Sequence, residues 1–351
     1  MLMRRDAQLA PERLHLVRAT PRDLDALAAA TDPRHVFLRG AWFAACEGAR
    51  LSIVLRADGR PLAGFGLVDR RIGPLKLREV AGSYWPFRAM AIAGDATASE
   101  LNAMFGDRDL RQLLGRIWRL GPIFADDPAA TRLRQAAAAT GWTMLERPLG
   151  SCFEIDVRAL SADGPWPRAS TMKKNRWREK KLSELGALDI SRFTGADWCS
   201  EDRDAIARIE RNSWLATEAD AGLQFADARQ RAIWEGMAAD PDLAAKLRGS
   251  ILRLDGIPAA FTFGLQVGTI FYQIANNYDD RFAQHSPGRT LLIRAFEQAA
   301  RDGIETISWG SGDAGYKSQM GAREGSPIVD LLFVRSRVLA AALAPLWRQR
   351  T

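Results

Sequence analysis

Apolar and polar positions along the chain follow two periods, and the period-2 stretches come as a repeated pair. Over 50–70, RLSIVLRADGRPLAGFGLVDR gives two β-rich runs around Asp58-Gly59, the signature of a hairpin. The pattern returns over 249–276 in GSILRLDGIPAAFTFGLQVGTIFYQIAN. Asp58, Gly59, Pro61 and Ala63 align with Asp255, Gly256, Pro258 and Ala260 at a constant offset of 197 residues. A helical segment carrying a tryptophan, Trp42 or Trp234, precedes each copy. Matching hairpins with matching upstream context predict duplication of one α/β unit.

Helical spacing predicts helices over 21–30, 36–46, 109–120 and 128–142, and SCFEIDV (151–157) reads as a strand. RALSADGPWPRAS (158–170) is rich in Pro, Gly and Ser and reads as a linker. A basic helix over 170–185 follows and stops at Gly186. Helices are then expected at 201–216, 227–238 and 288–302, with strands over 249–276, 304–310 and 326–334. The mixture gives an α/β fold of the α+β kind, a mixed sheet flanked by helices. The expected division is an N-terminal domain over 1–158, linker and basic helix over 159–186, and a C-terminal domain over 187–351.

Composition fits that picture. The chain has 351 residues, 47% hydrophobic and 26% charged, which suits two globular domains. No apolar run approaches the roughly 18 residues of a membrane span; the longest candidate, VLAAALAPL, contains Pro345. The first residues lack the apolar core of a secretory signal, so a cytoplasmic location is expected, with peripheral placement at the inner membrane left open. Three cysteines without a CxxC pair and three scattered histidines predict no metal site. The net charge is +7, and KKNRWREKK (173–181) alone contributes +5. Basicity this local argues against duplex DNA as a partner. It suits an anionic partner at this helix, such as a nucleotide-linked sugar, a membrane surface or tRNA, with Trp177 able to stack on a base.

One candidate anion site stands out. HSPGRT (285–290) lies between a long strand and a helix, with a further strand after it. The first N–H groups of a helix are unpaired and carry partial positive charge, which suits phosphate. Gly288 would let a phosphate approach the backbone, and Arg289 would add a charge-assisted bond. Ser286 as N-cap with Pro287 as first helical residue is the alternative, an ordinary helix start. No Gly-Lys-Ser/Thr and no GxGxxG is present.

The run LDGIPAAFTFGLQVGTIFYQIANNYDDRFAQHSPGRTLLIRAFEQAARDGIETISWGSGDAGYK resembles the GNAT acyltransferase superfamily. More narrowly it is similar to the CelD/BcsL-type group, associated with cellulose and exopolysaccharide synthesis and itself similar to the FemABX aminoacyl transferases. MKKNRWREKKLSELG fits that group's basic helix. The resemblance, clear over about 170–320, implies tandem GNAT-like domains. It implies that Ser286, Gly288, Arg289 and Thr290 cradle the pyrophosphate of acetyl-CoA or another acyl-CoA. It implies Tyr316 as the acid for the leaving thiolate, and an envelope-related acceptor, a small molecule or glycan.

Acyl transfer also needs a base. Asp279, Asp280 and Asp313 are the nearby carboxylates, and Asp313 in GSGDAG is the catalytic candidate. Asp279 and Lys317 are candidates for substrate binding, as are Trp85 and Arg88 of GSYWPFRA (82–89). The expected activity is N- or O-acyl transfer from acyl-CoA. An aminoacyl-tRNA-dependent transferase and a non-catalytic partner of a polysaccharide synthase are the alternatives.

Overall fold

The computed structural model describes residues 14–72, 75–162, 164–217, 222–312 and 315–348. The described strands are β1 (His15–Arg18), β2 (Arg50–Leu55), β3 (Pro61–Ile72), β4 (Leu75–Val80), β5 (Ala91–Ile92), β6 (Ile117–Phe124) and β7 (Thr143–Asp156). They continue with β8 (Leu188–Thr194), β9 (Leu247–Leu254), β10 (Ile257–Val267), β11 (Ile270–Tyr278), β12 (Thr306–Ser311) and β13 (Arg323–Val334).

The chain forms two compact units. Unit 1 comprises 1–149 and 328–351, and unit 2 comprises 150–327. This differs from the expected division at 158, because the chain returns to unit 1 at its end. The reason is strand pairing: β13 pairs antiparallel with β6 from Ile328↔Phe124 to Val334↔Ile117.

The two units share one topology. In unit 1, β1, β2, β3 and β4 form an antiparallel meander, β6 joins β4 in parallel, and β13 closes the order. In unit 2, β8, β9, β10 and β11 form the meander, β12 joins β11 in parallel, and β7 closes the order. The duplicated hairpins thus sit at equivalent places. Asp255 and Gly256 both take positive φ, 48° and 75°, the turn that Asp-Gly favours.

One expected element is wrong in kind. The segment 109–120 begins as a helix (Arg108–Leu114) and becomes β6 at Ile117. Gly115, at φ 80°, ends the helix, and Ile117 and Trp118 go to the sheet. The basic helix forms as expected, over Ala169–Ser183.

In unit 2 the helix Pro287–Arg301 packs Leu292 and Phe296 into a core with Ile155, Ile307 and Trp309. Leu291 of the same helix joins Leu182 of the basic helix and Leu252 and Ala260 of the sheet. Burying each such side chain stabilises the unit by about 1.5–3 kcal/mol.

Candidate functional site

The site grows from the way β11 and β12 separate. They pair in parallel at only three positions, Ile270↔Thr306, Phe271↔Ile307 and Tyr272↔Ser308. Both strands then continue without a ladder between them. The register between β10 and β11 shifts here, Phe263 facing Ala275 and Gly264 facing Gln273, so that Ile274 is an extra residue. Such a bulge bends the strand and re-aims its backbone. Beyond Tyr272, the edge of β11 that faced β12 therefore offers unladdered peptide groups. Across the parting, Trp309 Nε1 donates to Asn276 Oδ1 at 3.3 Å.

The Pro287–Arg301 helix starts at the end of β11. A Cβ on Gly288 would lie 2.9 Å from the Tyr278 ring, so only glycine lets this turn seat on the strand end without a shift. Ser286 takes the left-handed conformation (φ 54°, ψ 49°), and no side chain caps the helix. Ser286 supplies its carbonyl to Thr290, which donates both its N–H and its hydroxyl to it. Thr290 is fully buried, so it closes the turn and does not face a ligand, which corrects its expected role. Arg289 is half-buried, and its enclosed Nε has no partner among the described residues.

The basic helix lies against this turn. Asn175 Nδ2 donates to the Thr290 carbonyl at 3.2 Å, and Glu179 holds Arg294 through two bonds of 2.6 and 2.7 Å. Arg178, one turn beyond Asn175, is buried near Arg289. Burial and the positive charge of Arg289 hold its guanidinium below the usual arginine range. On the outer side, Lys173, Lys174, Arg176 and Lys180 are exposed around Trp177, itself 59% exposed.

At the other side of the parting, Tyr316 stands edge-on to Trp309, ring centroids 5.4 Å apart, and is 37% exposed. Lys317 is buried, and its ammonium donates to the carbonyls of Trp309, Gly310 and Ser311. It fixes the end of β12 and does not offer its charge to a substrate, contrary to expectation.

Two further expectations change. Asp279 is fully buried; burial opposes its charge, but Arg281 and Asn212 hold its carboxyl below the ordinary range. Both oxygens are engaged, Oδ1 by Arg281 Nε at 2.9 Å and Oδ2 by Asn212 Nδ2 at 2.8 Å, so it neither binds substrate nor serves as base. Asp280 is exposed at the turn, and Asp313 lies outside the described residues.

The residues expected from GSYWPFRA belong to unit 1. Trp85 is a core residue, edge-on to Phe87 at 4.6 Å and to Phe124 at 6.0 Å. Arg88 is held by Glu79 at 2.8 Å and donates to the Gly82 carbonyl at 3.1 Å. Burial, partly opposed by Glu79, lowers its pKa. Both are committed to packing and pairing within unit 1, which removes them as substrate-binding residues.

Sequence reasoning passed over one carboxylate beside the parting. Glu154 of β7 stands opposite Ser308 of β12 in the ladder and accepts its hydroxyl at 3.2 Å. Among the described residues no cation pairs with it. Gly325 leaves it room, since a Cβ there would lie 2.9 Å from Oε2. Side chains alternate along a strand, so Ser308 and Trp309 point to opposite faces of β12. Glu154 thus lies on the Ser308 face of β12 and Tyr316 on the Trp309 face. The signal in sequence was the alternation Cys152–Glu154 against Phe153–Ile155, legible only once β12 is known to be the neighbour.

Cys152 lies 3.1 Å from Ser308 Oγ, and burial pushes its thiol up to about 11. Its neutral form therefore persists in the folded protein. We expect iodoacetamide at pH 8 to label exposed Cys199 while sparing Cys152. Peptide mass spectrometry checks this, and equal labelling would contradict the burial.

Among the described residues, no group of three His, Cys, Asp or Glu could hold a metal ion. No described helix is long and apolar enough to cross a membrane.

The family described as "Acetyltransferase (GNAT) domain" matches residues 169–318. No curated protein matches the chain. Solved structures share the fold at low identity. FemX is 12% identical, with a TM-score of 0.62 over 94% of this chain and 100% of its own. L-PGS from Bacillus licheniformis is 12% identical, with a TM-score of 0.54 over 93% and 94%. A tandem GNAT protein from the clavulanic acid biosynthesis pathway is 15% identical, with a TM-score of 0.52 over 92% and 99%. The chain thus has the fold of tandem GNAT proteins, with a GNAT acetyltransferase domain match over residues 169–318 in its second half.

Proposed function

We propose that unit 2 transfers an acyl group from an acyl-CoA thioester, acetyl-CoA or a longer homologue, to an amine or hydroxyl of an envelope or exopolysaccharide-related acceptor. One observation carries this reading: the helix that follows the fourth meander strand is closed in unit 1 and open in unit 2. In unit 1 that helix is Ala98–Gly106, with a capping box of Thr97 and Glu100. Glu100 also pairs with buried Arg56 at 2.5 Å, so a carboxylate of the protein itself occupies the helix N-terminus. In unit 2 the equivalent helix has no side-chain cap, a glycine in its first turn and an arginine with an unpartnered Nε. Open N–H donors beside an arginine suit a pyrophosphate.

The N–H groups of Gly288 and Arg289 and the Arg289 side chain would hold the diphosphate. Bound there, acyl-CoA supplies an activated thioester. Glu154 takes the proton from the attacking amine or hydroxyl. Unladdered N–H groups of β11 beyond Tyr272 donate to the acyl oxygen as it gains charge. Tyr316 gives its proton to the departing sulfur. The class of acceptor rests on the resemblance of the sequence to the CelD/BcsL-type group.

We expect calorimetry to detect acetyl-CoA binding by the full chain and to lose it in Gly288→Glu, which adds bulk against Tyr278 and a negative charge. Arg289→Glu reverses the charge without filling Gly288 and should lose binding too. Equal affinity in all three proteins would falsify the cradle. The exposed face around Trp177 favours a second reading, an aminoacyl-tRNA donor. Retention of charged tRNA without any acetyl-CoA binding would establish it.

A further inference from the structure

We propose that Arg178 of the basic helix and Arg289 of the Pro287–Arg301 helix form an arginine pair whose missing counter-charge is the diphosphate of a nucleotide. That the nucleotide is coenzyme A rests on the function proposed above.

Three described arginines have less than a tenth of their surface exposed: Arg56, Arg147 and Arg178. Arg56 is paired with Glu100 and Asp95, and Arg147 with Asp330. Arg178, 9% exposed, has no acceptor among the described residues. Arg289 likewise has none there, and its Nε is fully enclosed. A buried charge without a partner is costly, and two like charges side by side add to the cost. The nearest carboxylate on the basic helix, Glu179, is committed to Arg294. Asn175, bonded to the Thr290 carbonyl, fixes the register that brings Arg178 beside the first turn of the Pro287–Arg301 helix. Two guanidinium groups and the open N–H groups of Gly288 and Arg289 at one helix start suit a single anion. A diphosphate has the charge and the spacing of oxygens to satisfy both forks.

The arrangement makes affinity and ligand-free stability move in opposite directions. A residue that only holds the fold lowers both when removed. A residue that waits for an anion destabilises the empty protein, and its removal relieves that strain while weakening the ligand.

The experiment uses the full chain as wild type, Arg178→Gln and Arg178→Lys. Calorimetry measures binding of coenzyme A and of ADP, which shares the diphosphate but lacks the pantetheine. Thermal unfolding is followed without ligand. Arg178→Gln should bind coenzyme A about 10- to 100-fold more weakly, the loss of one or two charge-assisted bonds, while its ligand-free melting temperature rises. Arg178→Lys, keeping charge without the fork, should fall between. Unchanged affinity in Arg178→Gln overturns the pair and leaves the acyl-CoA proposal standing. A lower ligand-free melting temperature with weaker binding makes Arg178 structural and also overturns it. Wild-type binding of ADP but not of coenzyme A, with ADP weakened by Arg178→Gln, upholds the pair and removes the acyl-CoA proposal. Binding of neither overturns both.

Discussion

Replacing Glu154 by Gln should lower acyl-transfer turnover by about 10²- to 10⁴-fold, the usual worth of a positioned general base, and leave acetyl-CoA affinity within about twofold. The expectation follows from where Glu154 stands. It bonds Ser308, whose ladder pair Tyr272 is the last before β11 and β12 part, and it is far in sequence from the proposed anion site at Gly288. Glutamine keeps the shape and can still accept the Ser308 hydroxyl, so the fold should survive. The informative readout is thiol release with acetyl-CoA and a panel of amine acceptors, set beside acetyl-CoA affinity from calorimetry. Tyr316→Phe should likewise lower turnover and keep that affinity. A Glu154→Gln enzyme with wild-type turnover would remove Glu154 from the chemistry.

Asp330→Ala should destabilise unit 1 by about 3–5 kcal/mol, the cost of breaking a buried ion pair by removing one partner. Asp330 is fully buried on β13. It receives Arg119 Nε at 2.8 Å from β6 and Arg147 Nη2 at 2.5 Å from β7. Arg119 also pairs with Glu79 of β4 at 2.7 Å. Four strands are thus tied through two carboxylates, and the alanine variant removes the carboxylate that Arg119 and Arg147 share. Against a typical total stability of about 5–15 kcal/mol this is a large share. Urea unfolding followed by tryptophan fluorescence checks it. A change below about 1 kcal/mol would show that the network relaxes around the loss.

The architecture was legible because it is written in local signals. Two Asp-Gly turns at equivalent places carried the duplication, and Ser-Pro-Gly after a long strand carried the start of the Pro287–Arg301 helix. What failed was whatever depends on partners distant in sequence. Ile117 and Trp118 looked like the end of a helix; the conformation of Gly115 and pairing with β13 send them into the sheet. Asp279 read as a substrate-binding carboxylate and is instead enclosed by Arg281 and Asn212. Glu154 lies in an ordinary strand pattern and acquires meaning only opposite Ser308, 154 residues away. Arg178 was one of six basic residues among the nine of KKNRWREKK; its burial against another helix sets it apart from its neighbours.

The return of the chain to unit 1 has a consequence for biosynthesis. β6 ends the first unit's run of consecutive strands with one edge still open, and its partner β13 lies some two hundred residues downstream. A ribosome makes all of unit 2 in the interval. The nascent first unit must therefore wait, with bare backbone donors and acceptors along β6, until the last strand emerges. Unpaired edges of this kind attract other chains. The domain translated first is the one completed last, and its vulnerability to mispairing lasts as long as the translation of its neighbour.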